Sequence, residues 1–190
     1  VSRLDLVVGP NGAGKTTLFD LVIWPGRPGL PFVNADRIAA ERFGPDAQER
    51  SYEAARIAAT ARNALIDARL DFCTETVFSH RSKVDLVETA VAAGYDVVLH
   101  VVMIPLVLSA PRVAARVDHG GHDVPVAKLA DRYDRLWPLV AEALPHCRHA
   151  TFYDNSGADG PVGVASFRHG VADHRPAWPT WAPPVLVDLP

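Results

Sequence analysis

A chain of 190 residues, 48% hydrophobic and 22% charged, is long enough for one domain with a substantial core and too short for a second large one. The formal net charge of -3, with lysines only at Lys15, Lys83 and Lys128, excludes a general electrostatic attraction to nucleic acid. The most apolar stretch, Val97 to Ala110, is broken by His100, Pro105 and Ser109 and falls short of the ~20 residues that a membrane span needs. Cys73 and Cys147 show no metal-ligand spacing and read as reduced, buried thiols. With no signal-type segment ahead of residue 9, the expected location is the cytoplasm.

Leu4 to Val8 reads as a buried strand. Directly after it, Gly9, Pro10, Asn11, Gly12, Ala13, Gly14, Lys15, Thr16 and Thr17 fit G-x-x-x-x-G-K-[ST] at every fixed position. Average residue usage predicts about one accidental match in roughly 150 chains of this length. In such a loop the glycines let backbone N–H groups converge on phosphates, Lys15 directs a point charge at the β and γ groups, and the Thr16 hydroxyl is placed to ligate Mg²⁺. Helix-compatible spacing continues from Thr17 to Ile23 and stops at Pro25, so the loop lies between strand and helix and predicts ATP binding.

Leu30 to Asn34 is a short apolar strand ending at Ala35 and Asp36. A long helix is expected from Ala47 to Leu70, apolar on one face, with Glu49, Arg56, Arg62 and Arg69 on others. Asp71 to Thr74 reads as a strand leading into Glu75, and Ser82 to Ala93 as a helix stopped by Gly94. Asp96 to Met103 has the valine and leucine content of a central parallel strand. Beyond Pro111, Arg112 to Val117 is a short helical piece ended by Gly120 and Gly121; Val126 to Leu144 is a further helix and Ala150 to Tyr153 a last strand. Strands alternating with helices predict an α/β sandwich of the P-loop NTPase, nucleotide-kinase-like kind, with a parallel sheet, helices on both faces and a short helical lid. The expected domain runs over residues 1–167. Residues 168–190, with Pro176, Pro179, Pro183 and Pro184 beside Trp178 and Trp181, form an extended tail or a docking segment.

In open α/β sheets ligands gather at the carboxyl ends of strands, which points to Asp36 and Glu75. Phosphoryl transfer to a hydroxyl needs one carboxylate to orient that hydroxyl and take its proton, and a second can hold Mg²⁺ through water. Asp36 is the candidate base; a second role, as N-cap of a helix starting near Arg37, is compatible with it. Glu75 stands beside Thr74, Thr76, Ser79, His80 and Arg81, a polar group suited to a sugar or nucleotide. Arg112 and Arg116, four apart, share a helix face from which a guanidinium can meet the transferring phosphoryl group, and Gly120, Gly121 and His122 supply a hinge. Lys128, Arg132 and Arg135 make a second basic stripe, read equally as a solvated face. His80 and His122 lack metal-site spacing and read as hydrogen-bonding residues.

Together these segments resemble the zeta toxin family of P-loop kinases, in particular its short chromosomal members. The resemblance spans Leu4 to about Phe167 and rests on GPNGAGKTT at Gly9, FVNADRIA at Phe32, TETVFSHRSK at Thr74, RVAARV at Arg112 with GGHDVP after it, RY at Arg132 and YDNS at Tyr153. It implies an ATP- and Mg²⁺-dependent kinase that phosphorylates the 3′-hydroxyl of UDP-N-acetylglucosamine, with an antitoxin protein as a possible partner. By motif, Asp36 looks like the general base, Lys15 and Thr16 serve ATP and Mg²⁺, Glu75 looks like the sugar-contacting acid, and Arg112 or Arg116 stabilises the transferring phosphate. One departure stands out: the family has Thr two residues after the Glu, whereas here Val77 occupies that position and the hydroxyl is on Thr76, whose side chain alternates to the opposite side of an extended segment. A kinase of the same fold with another acceptor, like chloramphenicol phosphotransferase or the gluconate kinases, is the second reading. A nucleotide-binding regulatory protein without turnover is the third.

Overall fold

Leu4, Leu6 and Val8 of β1 (Arg3–Val8) join one apolar cluster and Val7 joins another, so this central strand presents an apolar surface on both sides. The computed structural model describes residues 1–117 and 126–189, without the side chains of 116, 117 and 126. After β1 come α1 (Lys15–Leu18), which widens into a π turn over Phe19–Ile23, β2 (Phe32–Val33), α2 (Ala35–Phe43), α3 (Ser51–Asp67) and β3 (Phe72–Thr76). The second half holds α4 (Ser82–Ala92), β4 (Asp96–Met103), α5 (Leu106–Val117), α6 (Val126–Ala143), β5 (His149–Asp154), β6 (Val162–Arg168), β7 (Val171–Ala172) and α7 (Pro184–Val187).

Among the described residues the sheet has seven strands in the order β2-β3-β1-β4-β5-β6-β7. The first five are parallel, as the alternation of strands and helices predicts; β6 and β7 add on antiparallel. The last strand expected from sequence ends at Tyr153, because the alternation in VGVASFR is broken by glycine and serine and shows little contrast. The expected domain boundary at 167/168 falls inside β6. Past it, Trp178 packs edge-on against Phe152 with ring centroids 5.2 Å apart, and Leu186 of α7 is fully buried.

On the larger face, Leu4, Leu6, Leu99 and Val101 meet Val84, Val87 and Ala90 of α4 and Leu136, Trp137 and Val140 of α6. The opposite face packs Val7, Cys73 and Val102 against Leu18, Phe19 and Ile23. On that face also lies a buried ionic group, in which Asp5 pairs with Arg3, Arg27 and His100. Burial alone would raise the Asp5 pKa, but hydrogen bonds from His100 and Arg3 outweigh it and hold the carboxyl below its usual value.

Two helices differ from expectation. The stretch expected as one helix from Ala47 to Leu70 is helical only over α3, with turns at 47–50 and 68–69 and a separate 3₁₀ turn over Gly44–Asp46 ahead of it. Arg62, expected off its apolar face, continues the buried row Ala54, Ala58, Ile66 at a spacing of four. α5 starts five residues before Pro111: the proline removes one backbone bond, yet Leu108 and Val113 on either side of it pack into apolar clusters that hold the helix together.

Both cysteines are free and buried. Burial pushes the Cys147 thiol up to about 12 and raises Cys73 further still. Neither thiol is expected to react with a disulfide reagent at about pH 8 in the native protein, and both should react once denaturant unfolds it. A thiol that titrates rapidly under native conditions contradicts this packing.

Candidate active site

β1 ends at Val8 in the middle of the sheet, and the following connections lead first to one edge and later, after β4, to the other. The crevice at the carboxyl ends of the strands therefore opens at this switch. Gly9 turns the chain here because nothing larger fits: a Cβ on it would stand 2.3 Å from the Val102 carbonyl oxygen of β4. Gly14 closes the loop in the left-handed region, φ 85°, and hands the chain to α1. The loop is clamped from outside as well. The Ser109 hydroxyl donates to the Asn11 carbonyl at 2.7 Å, and the Asn155 amide donates to the Ala13 carbonyl at 2.7 Å. Neither residue has a role that its local sequence announces; Asn155 lies in the YDNS segment, whose function shows only once β5 is set beside the loop.

Lys15 is buried, with Nζ donating to the Pro10 carbonyl at 3.0 Å and Glu75 Oε1 at 3.9 Å. Glu75 belongs to β3 itself, opposite Val7 in register, rather than following the strand as expected. Its Oε2 accepts from the Thr16 hydroxyl at 2.7 Å and from the Asn34 amide at 2.9 Å. Asn34 does two things at once. While its nitrogen orients Glu75, its oxygen accepts from the backbone N–H of Asp36 at 2.8 Å and of Arg37 at 3.2 Å, capping α2. The cap expected of Asp36 is thus made by Asn34, and the exposed Asp36 side chain lines the cleft from the first turn of α2.

The cleft has a volume of about 570 Å³, in the range of small-molecule sites. Asn11, Gly12 and Lys15 form its floor on the loop side, and Asp36, Glu75, Thr76, Val77, Ser79 and His80 line it further along. Thr76 and Val77 both face this space, and the Thr76 hydroxyl accepts from the Phe78 N–H at 3.4 Å. Phe78 is fully buried and held at φ 65°, which pins the segment between β3 and α4. His80 Nδ1 accepts from the Ser82 N–H at 3.2 Å, tying the same segment to the start of α4.

Gly9, Pro10, Ala13 and Gly14 shape the loop from behind the cleft; Thr16 meets it through Glu75, and Thr17 is exposed outside it. Arg81 is turned away, paired with Asp85, Glu88 and Glu142 on the outer surface, because α4 and α6 bring three carboxylates to it. Arg112 does not line the cleft either. Its guanidinium donates to the Asn155 carbonyl at 2.8 Å and the Ser156 carbonyl at 3.3 Å, bracing the turn that in turn clamps the loop. The Arg116 side chain and the hinge residues Gly120, Gly121 and His122 lie outside the described residues. Of the second basic stripe, Lys128 and Arg132 face the cleft while Arg135 pairs with Asp131. Arg62 and Lys83 also line it, and sequence reasoning assigned neither of them.

Oxygen donors 2.7 Å apart on Thr16 and Glu75 suit a hard divalent cation. Among the described residues no three His, Cys, Asp or Glu side chains converge on one point.

Residues 4–139 match the model of the AAA domain family (AAA_33). A comparison with curated proteins finds no match by sequence. Among solved structures, the AvrRxo1-ORF1:-ORF2 complex with ATP is similar over 90% of this chain at 17% identity and a TM-score of 0.71, and this chain spans 60% of that one. The PezAT chromosomal toxin-antitoxin system of Streptococcus pneumoniae is similar over 87% of this chain and 72% of that one, at 15% identity and a TM-score of 0.66. A putative kinase from Chloroflexus aurantiacus is similar over 71% and 78%, at 17% identity and a TM-score of 0.54. The loop, the strand order around it and the extent of the family match agree: the chain belongs to the AAA domain family.

Proposed function

We propose that this protein is an ATP-dependent phosphotransferase of the zeta toxin type, which moves the γ-phosphate to a sugar hydroxyl, with the 3′-hydroxyl of UDP-N-acetylglucosamine as acceptor. The observation that carries the reading is the convergence of Lys15, Glu75 and Asp36 on one cleft, with Asp36 relieved of helix capping by Asn34. Mere nucleotide binding needs the loop but not a second carboxylate facing an acceptor space. The similarity to a complex solved with ATP and to a toxin-antitoxin system supports the same reading and makes an antitoxin a reasonable partner.

In this reading the loop N–H groups and Lys15 hold the β- and γ-phosphates, and Thr16 with Glu75 would hold Mg²⁺, which supplies charge neutralisation between the phosphates. Asp36 orients the acceptor hydroxyl and takes its proton as the oxygen attacks phosphorus. Thr76, Ser79 and His80 contact the acceptor. Lys128 and Arg132, rather than Arg112, are the cations of the second basic segment that line the cleft beside Lys15, Arg62 and Lys83.

The test is incubation with ATP and Mg²⁺ against a panel of nucleotide sugars and small alcohols, with phosphorus NMR of the products. A new phosphomonoester resonance on UDP-N-acetylglucosamine is expected. Transfer only to another hydroxyl compound would leave the kinase and remove this acceptor; Val77, an apolar residue in the cleft wall where the family has a threonine, is the observation that favours this second reading. No transfer to any acceptor would overturn the enzyme reading.

A further inference from the structure

Ser51, Tyr52, Ala55, Ala58 and Arg62 bring one side of α3 to the cleft, and Lys83 reaches it from the first turn of α4. The Arg62 side chain is only 8% exposed. Among the described residues it nevertheless has no hydrogen bond and no ion pair, and burial alone lowers its pKa with no carboxylate opposing the shift. Lys83 carries the same sign of charge: burial lowers its pKa, and the nearby Arg62 lowers it further. Glu75, an acid of the same cleft, is occupied by Thr16 and Asn34. A buried guanidinium beside an ammonium is an unfavourable arrangement in the empty protein, and the arrival of an anion relieves it.

We propose that Arg62 and Lys83 form an anion subsite for the acceptor, so that the compound phosphorylated bears a second oxyanionic group besides its reacting hydroxyl. This rests on the kinase reading above and deepens it: in UDP-N-acetylglucosamine the group held by Arg62 and Lys83 would be the diphosphate. The planar guanidinium grips two oxygens of one group and the ammonium adds a point charge, a pairing suited to a phosphate, diphosphate or carboxylate. The subsite stands on α3 and α4, whereas the nucleotide phosphates would be held by the loop, so different elements of one cleft would take the two anions.

The experiment titrates inorganic pyrophosphate and, separately, malonate into the 190-residue chain after its loop has been saturated with a non-hydrolysable ATP analogue. The parent is expected to bind one equivalent of one of the two anions; preference for pyrophosphate assigns a phosphate-type group, and preference for malonate a carboxylate. Arg62→Gln and Lys83→Gln should each weaken that binding at least about tenfold, with Arg62→Lys retaining part of it. The affinity for the ATP analogue should stay unchanged in these variants, and the melting temperature of ligand-free Arg62→Gln should equal or exceed the parent's, because an unpaired buried charge has been removed. The proposal is overturned if the loaded parent binds neither anion, if both glutamine variants bind as well as the parent, or if Arg62→Gln melts lower with anion binding intact. Should the analogue itself fail to bind, the kinase reading falls, and the same titration on ligand-free Lys15→Ala still decides the subsite.

Discussion

Lys15→Ala is expected to lower turnover by about 10²- to 10³-fold and to weaken ATP binding by at least about tenfold. The ammonium lies inside the loop, held by the Pro10 carbonyl and beside Glu75, so it is already aimed before nucleotide arrives. A hydrogen bond to a charged phosphate contributes about 1.5–3 kcal/mol in the ground state, which sets the loss of affinity. A cation aimed at charge that grows during transfer contributes more, on the scale of removing one donor from an oxyanion site, which sets the loss of rate. Because Nζ also closes the loop onto Pro10, the variant needs a melting curve beside its calorimetry. Undiminished affinity and turnover in a folded Lys15→Ala protein would remove the loop from function.

Asp36→Asn separates chemistry from architecture. Asn34 caps α2, so Asp36→Asn leaves the cap in place, and the exposed position limits the change in stability to less than about 1 kcal/mol. Lost basicity should still reduce phosphoryl transfer by about 10²-fold or more, with ATP affinity preserved. The decisive comparison measures melting temperature, nucleotide affinity and turnover of the variant and the parent on an acceptor that the parent phosphorylates. Transfer at the parental rate would assign the proton to another group, with Glu75 next in line. Its three contacts to Thr16, Asn34 and Lys15 predict that altering it would disturb nucleotide and acceptor sites together.

Features carried by contiguous residues were legible without a structure. The phosphate loop is a nine-residue run whose glycines, lysine and threonine each have a local geometric reason. The five parallel strands were legible because buried parallel strands are continuous apolar runs. Asp36 and Glu75 stood out because carboxylates at strand ends are placed by the strand itself. What depends on a neighbour from elsewhere in the chain was not legible. Asn34 reads as a polar end to a strand until Glu75 arrives 41 residues later to receive its amide. Arg112 reads as a phosphate ligand until the carbonyls of Asn155 and Ser156 take up its guanidinium, 43 and 44 residues away.

Arg62 marks the division most sharply. Along the sequence it is one more charged residue on a helix, and a charged residue is assigned to the solvent face because burial of an unpaired cation is unfavourable. That assignment holds wherever a helix turns a wet side to water. Here the row Ala54, Ala58, Arg62, Ile66 faces inward, and a cleft at the edge of the core gives the guanidinium somewhere to point. The loop, the parallel half of the sheet and the two carboxylates as candidates are legible in the chain alone, because these follow from residues within a few positions of one another. Which cations face the cleft, which brace the frame and which residue caps α2 came only with the fold, because each of those outcomes depends on partners that only folding brings within hydrogen-bond distance.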